Sequence, residues 1–261
     1  MCDRESKRLL VADVGNTNVV FGVFRDQRLE ASIRVETRRD RTAEEYHAMI
    51  VPLLQYRNIP WDQFGDFLIS SVVPPAQRAL SELGQILLGK APRFVTSDMD
   101  VGVELRYHRP QEMGADRIVN AGYSFHRWKG CVVVDFGTAT TFDVLAPDGV
   151  YLGGCIVPGV RISMEALFTR ASRLPRIDVV RPDRAIGRST EEAMQSGVYF
   201  GYVALVDGIV ERIFAEAGFR GPVIATGGLA SLVAQDSKAI EIVEPDLALL
   251  GLQWLHQRRK G

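Results

Sequence analysis

The chain has 261 residues, a net charge of −1, and 46% hydrophobic and 24% charged residues. One domain of about 100–200 residues does not account for that length, so two domains are expected, and the balanced charge excludes an electrostatic affinity for nucleic acid or an anionic membrane. Cys2, Cys131 and Cys155 are odd in number and widely spaced, with no CxxC pair, which excludes a disulfide framework and a structural zinc site and fits a reducing compartment.

The polar start MCDRESKR runs into an apolar stretch that Asp13 breaks, too short for the core of a signal peptide. Leu9 to Ala12 predicts a buried strand that ends in the turn Asp13-Val14-Gly15-Asn16-Thr17-Asn18. Val19 to Phe24 and Leu29 to Val35 predict two further strands linked by hairpins. Arg38, Arg39 and Arg41 then read as a solvated loop. Thr42 with Glu45 forms a capping box, opening a helix whose apolar positions recur at Met49, Leu53 and Leu54. A strand (Phe67 to Val73), a helix (Ala76 to Leu88) and a strand (Arg93 to Thr96) follow, which makes this half α/β with a mixed sheet.

Asp116 begins an apolar-periodic helix carrying Ile118, Ala121, Gly122 and Phe125. The opening pattern then repeats. Cys131 to Val134 is an apolar run that ends in Asp135-Phe136-Gly137-Thr138-Ala139-Thr140-Thr141, with strands expected at Phe142 to Leu145 and Tyr151 to Val157. Ser189 with Glu192 forms a second capping box, opening a long helix to about Ala217. Its apolar stretch from Gly197 stops at Asp207, so a membrane span of about 20 residues is not available and the cytoplasm is expected. Pro222 to Ala225 predicts a strand ending in Thr226-Gly227-Gly228, and Leu247 to Gln257 predicts a closing helix before the basic tail Arg258, Arg259, Lys260.

Two copies of strand, Asp-x-Gly-x-Thr-type turn and strand therefore lie 122 residues apart, counting from Asp13 to Asp135. A repeat on that scale implies two similar domains, with the two turns bordering a cleft between them. The expected division is residues 1–115, residues 116–245, and a terminal helix over 246–261 that packs back on the first domain. A carboxylate at the end of a buried strand is costly unless a cation or hydrogen bonds compensate it. Mg²⁺ on nucleotide phosphates does so, since it takes one or two carboxylates together with phosphate oxygens. Gly15 and Gly137 let the backbone turn tightly beside a ligand, and Asn16, Thr17, Thr138, Thr140 and Thr141 add short polar groups. Read singly, each turn is equally a plain hairpin, because Asp, Gly and Asn are common turn formers.

The duplicated turns, with Thr226-Gly227-Gly228 as a third glycine-rich loop, resemble the actin/hexokinase superfamily of ATP-dependent phosphotransferases. That resemblance implies two ribonuclease-H-like α/β domains with an ATP cleft between them. A narrower resemblance covers nearly the whole chain. DVGNTN (Asp13–Asn18), GADR (Gly114–Arg117), DFGTATTFD (Asp135–Asp143), GGCIVPG (Gly153–Gly159) and IGRST (Ile186–Thr190) occur in the order found in type III pantothenate kinases, also called Bvg accessory factors. What this implies is transfer of the ATP γ-phosphoryl to pantothenate, the first step of coenzyme A synthesis, by a homodimer with its acceptor site near the subunit interface. It also implies that Asp13, Val14, Gly15, Asn16, Thr17 and Asn18 wrap the ATP phosphates, with Asp13 near Mg²⁺, and that Thr138 contacts ATP. Asp116 would be the general base, and Gly114, Ala115, Asp116 and Arg117 would line the pantothenate pocket with Tyr107 and Thr190. Asp135 would hold K⁺ or ammonium. Arg117 pairs either with the acceptor's carboxylate or with Asp116. Two alternatives stand beside this reading: a kinase of another small hydroxyl compound, and a regulatory protein that binds ATP without turnover. The small residues Gly197, Gly201, Ala204 and Gly208 on the long helix suit either internal packing or a dimer interface.

Overall fold

A computed structural model describes residues 8–171 and 173–258. Cys2, Arg259 and Lys260 lie outside the described residues. The chain divides into two units: unit 1 takes the residues up to Val101, Arg109–Tyr123 and those from Ala248 onward, and unit 2 takes Gly102–His108 and Ser124–Leu247.

In unit 1, β1 (Arg8–Val14), β2 (Asn18–Arg25) and β3 (Arg28–Glu36) form an antiparallel meander. Helix α1 (Ala43–Tyr56) returns the chain so that β4 (Phe64–Ser71) lies parallel to β1, and after α2 (Gln77–Leu88) the two-residue β5 (Arg93–Phe94) lies parallel to β4. The order is β3-β2-β1-β4-β5. Side chains alternate between the faces of a strand. Leu10, Ala12, Val14, Phe21, Phe67 and Ile69 share a core with Tyr46, Ile50 and Leu54 of α1 and Leu80 and Leu83 of α2. The opposite face of β1 carries Leu9, Val11 and Asp13, so the parity that buries Leu10 and Ala12 also sends Asp13 away from that core.

The α1 cap is reciprocal, Glu45 N–H donating to the Thr42 hydroxyl at 3.2 Å and Thr42 N–H to the Glu45 carboxylate at 2.8 Å. Each such cap contributes about 1 kcal/mol. The C-terminal helix, α7 (Leu247–Arg258), packs on unit 1: Leu249 lies over Gly22, Gln253 donates to the Asp26 carbonyl at 3.0 Å, and buried His256 meets Arg93 and Asp66. Helix α3 (Ala115–Trp128) begins in unit 1, where Val119 and Tyr123 meet Gly251, and runs on into unit 2. The expected boundary at 115/116 therefore differs from this division, because the first turns of α3 pack on α7.

Unit 2 repeats the scheme. β7 (Cys131–Phe136), β8 (Ala139–Leu145) and β9 (Val150–Pro158) form the meander; after α4 (Val160–Arg170) and α5 (Thr190–Ala217), β10 (Val223–Gly227) lies parallel to β7. Beyond α6 (Ala230–Val233), β11 (Ile242–Val243) lies parallel to β10. The order is β11-β10-β7-β8-β9-β6, where β6 (Glu104–Leu105) extends the edge alongside β9. Without β6, strand order and direction match unit 1 strand for strand, so the repeat read from the two Asp turns is a duplicated mixed sheet. Tyr199, Val203, Val206, Val210 and Phe214 of α5 bury against Val132, Val134 and Phe142.

The α5 cap departs from expectation. Ser189 accepts from Glu192 N–H at 3.1 Å, but the Glu192 carboxylate takes the N–H of Arg188, one residue earlier, at 2.7 Å. Helix α4 was not expected either; its sequence puts Ile162, Leu167 and Phe168 on exposed positions instead of in a buried stripe.

Candidate active site

In unit 1 the Asp13 turn is closed by its own backbone. Gly15 N–H donates to the Asn18 carbonyl at 3.0 Å, and Thr37 anchors the turn from β3's end, donating from its hydroxyl to the Gly15 carbonyl at 2.7 Å and from its N–H to the Thr17 carbonyl at 2.9 Å. Asn16 and Thr17 are left exposed. Asp13 is half-buried, yet its Oδ1 is fully covered and has no hydrogen-bond partner. Burial and the nearby Asp116 carboxylate push its pKa up to about 7, with Ser70 and Arg34 pulling weakly the other way. A hairpin built for its own sake would not leave a strand-end carboxylate in that condition.

Asp116 sits in the first turn of α3, where Arg117 N–H donates to its Oδ1 at 2.7 Å. The N–H groups of a helix start favour an ionised carboxylate, but burial outweighs that bond and the Arg117 guanidinium, so the net shift is upward. Arg117 is itself buried and acts electrostatically on Asp116. Gly114 makes the arrangement possible: a Cβ there would stand 2.4 Å from Asp116 Oδ1 and 3.2 Å from Val72. Asp13, Gly114, Asp116 and Arg117 thus form one constellation within unit 1, a pair of mutually repelling carboxylates with a buried guanidinium.

In unit 2, Asp135 closes β7 and Gly137 N–H donates to the Ala139 carbonyl at 3.1 Å. The third glycine loop lies against this turn: Thr226 pairs with Asp135 in register, and Gly228 N–H donates to the Phe136 carbonyl at 3.2 Å. Gly227 has φ +88°, and a Cβ on it would stand 2.6 Å from Asp135 Oδ1, so both its backbone and its missing side chain are required. Thr138 is exposed on the turn. Asp143 is completely buried and accepts from the Tyr151 hydroxyl at 2.7 Å and from the Thr141 hydroxyl at 3.4 Å. Tyr107 packs its half-buried ring on Tyr151, centroids 6.3 Å apart, and Thr190 is exposed at the first position of α5.

Two features escape sequence reasoning. Ser70 is completely buried in β4, in register beside Asp13, with its hydroxyl unpartnered. Unit 2 holds a cavity of about 650 Å³ whose lining includes Met164, Phe168, Arg176, Met194 and Leu229, the last directly following Gly228. The register of a parallel pair and the folding of residues 173–189 are long-range facts with no local signal. Among the described residues no group of three or more His, Cys, Asp or Glu side chains could hold a metal by themselves, and no helix is long and apolar enough to cross a membrane.

A family model described as type III pantothenate kinase matches residues 9–212. Type III pantothenate kinases of Myxococcus xanthus and Geobacter sulfurreducens are 49% and 48% identical over 251 and 253 residues, covering 96% and 97% of this chain and 98% and 99% of theirs. Among solved structures, a protein from Campylobacter jejuni described as a Baf family transcriptional activator superposes with a TM-score of 0.61 at 19% identity, covering 96% of this chain and 98% of that one. One from Sinorhizobium meliloti, described as a 2-dehydro-3-deoxygalactonokinase, has a TM-score of 0.57 at 14% identity, covering 96% and 99%. At these identities the structures share the fold.

Proposed function

Because the chain belongs to the type III pantothenate kinase family, we propose that it transfers the γ-phosphoryl group of ATP to the primary hydroxyl of pantothenate. The observation that carries this reading is the unit 1 constellation: a strand-end carboxylate with an orphaned buried oxygen, in a phosphate-type turn, beside a second carboxylate of raised proton affinity. Phosphoryl transfer asks the protein for positioning, charge neutralisation and a group that takes the acceptor's proton.

Asp116 accepts the hydroxyl proton while the oxygen bonds to the γ-phosphorus and the bond to the bridging oxygen breaks, releasing ADP. Burial raises its pKa, which makes it a better base than a solvated carboxylate. Asp13 with residues 14–18 holds the phosphates, and the orphaned Asp13 Oδ1 fits Mg²⁺, which when bound supplies charge neutralisation at the phosphate oxygens. Thr138 contacts ATP, and the cavity behind Leu229, where Met164, Ile177 and Met194 sit among Arg161, Glu165 and Asp178 and the Arg176 guanidinium lies over the Phe168 ring at 5.0 Å, suits the nucleoside base. Asp135 holds K⁺ or ammonium; Gly114, Ala115, Arg117, Tyr107 and Thr190 receive pantothenate.

The chain acts as a homodimer in the cytoplasm. Supporting a second copy, Leu152 and Ile156 of β9 and Ile162 of α4 are exposed, and a Cβ at Gly197 or Gly201 on α5 would meet nothing within 4 Å. The small-residue face is therefore not used for close packing at these two positions among the described residues.

With Mg-ATP, K⁺ and pantothenate, phosphorus NMR should show a new phosphomonoester resonance growing as ATP falls. ATP loss without that resonance would assign another acceptor. Replacing K⁺ by Na⁺ should slow the reaction steeply, and equal rates in both salts would remove Asp135 as a cation site. Gly114→Ala should lower kcat by roughly 10²-fold, since its Cβ cannot share space with Asp116 Oδ1 and small misplacements of a catalytic group have effects of that size. A Gly114→Ala enzyme with wild-type kcat would show that Asp116 need not sit where it does.

A further inference from the structure

Three buried polar side-chain atoms without hydrogen-bond partners lie on elements of the unit 1 sheet and α1: Asp13 Oδ1, Ser70 Oγ and the Tyr46 hydroxyl. Tyr46 belongs to the core under α1 and α2, on the face that Asp13 avoids. The other two are neighbours. β1 and β4 run parallel with Ala12 opposite Ile69 and Asp13 opposite Ser70. Ala12 and Ile69 are in that core, so Asp13 and Ser70 both project from the other face, side by side at the strand ends that lead into the phosphate turn and Val72.

A buried hydroxyl with no partner is costly, of the order of a lost hydrogen bond, and is retained where something absent from the folded chain alone satisfies it. Here the hydroxyl stands beside the orphaned Asp13 oxygen, near enough to favour its ionised form but without closing a hydrogen bond to it, so both atoms are left for a further partner. Ser71, the next residue, behaves as an ordinary strand-end serine: its hydroxyl accepts from Val73 N–H at 3.2 Å. The contrast between adjacent serines separates a locally satisfied hydroxyl from one that is not.

We propose that Ser70 is a further residue of the nucleotide site, a positioning residue whose hydroxyl, together with Asp13 Oδ1, hydrogen-bonds a water of the hydrated divalent cation that accompanies the nucleotide. Mg²⁺ parts reluctantly with its waters and is commonly held through them; such a water donates both hydrogens, and a carboxylate oxygen and a serine oxygen side by side supply two acceptors for it. The inference rests on the ATP reading of the Asp13 turn and extends it to a residue outside every recognised motif of the chain.

The test is equilibrium binding of ADP by calorimetry, with Mg²⁺ and with EDTA, to wild-type, Ser70→Ala, Ser70→Cys and Ser71→Ala proteins. Mg²⁺ should tighten ADP binding to the wild type, and Ser70→Ala should lose about tenfold of that tightening, the size expected for one hydrogen bond in a charged setting. ADP affinity in EDTA should be the same in both. Ser70→Cys, which fills the space with a weak hydrogen-bonding group, should fall alongside Ser70→Ala, and Ser71→Ala should match the wild type. The melting temperature of ligand-free Ser70→Ala should not drop, because an unsatisfied hydroxyl has been removed. Equal Mg²⁺-dependent tightening in Ser70→Ala and wild type would overturn the proposal and leave Ser70 a core serine. Absence of any Mg²⁺ effect in the wild type would instead overturn the reading of the Asp13 turn, and this proposal with it.

Discussion

Asp116→Asn should lower kcat by about 10²–10⁴-fold, the range over which a positioned general base acts, with nucleotide affinity unchanged or slightly tighter. The two parts of that expectation have separate causes. The amide cannot take the acceptor's proton, so the effect falls on the chemical step. Yet the same substitution removes a negative charge that opposes ionisation of Asp13, so a cation–nucleotide complex meets an Asp13 more readily charged. The amide also fits beside Gly114 without new steric demand, which keeps the result interpretable. Stopped-flow or steady-state kcat together with ADP titration separates the two effects. An Asp116→Asn enzyme that turns over at the wild-type rate would remove Asp116 from proton transfer.

Asp13→Asn should act in opposite directions on stability and on nucleotide binding. Burial and Asp116 raise the folded-state pKa of Asp13 from 3.8 to about 7, so the folded chain binds this proton more tightly than the unfolded one. The stability this provides is fully present below pH of about 4 and is lost as the pH rises through about 7. At higher pH the ionised, uncompensated carboxylate costs the ligand-free protein roughly 4 kcal/mol. Asn carries no such charge. The melting temperature of ligand-free Asp13→Asn should therefore equal that of the wild type near pH 4 and exceed it increasingly toward pH 8. Mg-ADP should then raise the wild-type melting temperature strongly at pH 8 and that of Asp13→Asn little, since a cation favours the ionised carboxylate and does nothing for an amide. A pH-independent difference between the two proteins would show that Asp13 is not held in the unfavourable state described.

Much of this arrangement is legible in the chain itself, for local reasons. The Asp13 and Asp135 turns announce themselves because a carboxylate, a glycine and short polar groups interrupt apolar strands at matched positions. The matching strand orders β3-β2-β1-β4-β5 and β9-β8-β7-β10-β11 follow from the same duplication. Capping at Thr42 is equally local and takes the expected form. What is not legible depends on partners distant in sequence. Ser70 reads as one more strand residue in Ile69-Ser70-Ser71 until the parallel register sets it beside Asp13, 57 residues earlier in the chain. The helix-start N–H of Arg117 suggests a readily ionised Asp116, and only the packing around it reverses the sign. Asp143 finds its partner in the Tyr151 hydroxyl through the β8–β9 pairing, a choice no spacing rule dictates. Helix α4 hides because its apolar residues Ile162, Leu167 and Phe168 are exposed and do not line up in one buried stripe, the pattern by which helices are recognised.

Pantothenate kinase activity is read directly as ADP release by the purified chain with Mg-ATP and K⁺, measured with and without pantothenate. Slow release alone and a strong, saturable stimulation by pantothenate that Asp116→Asn abolishes are expected. ADP release that pantothenate leaves unchanged, from protein shown to bind ATP, would contradict pantothenate kinase activity.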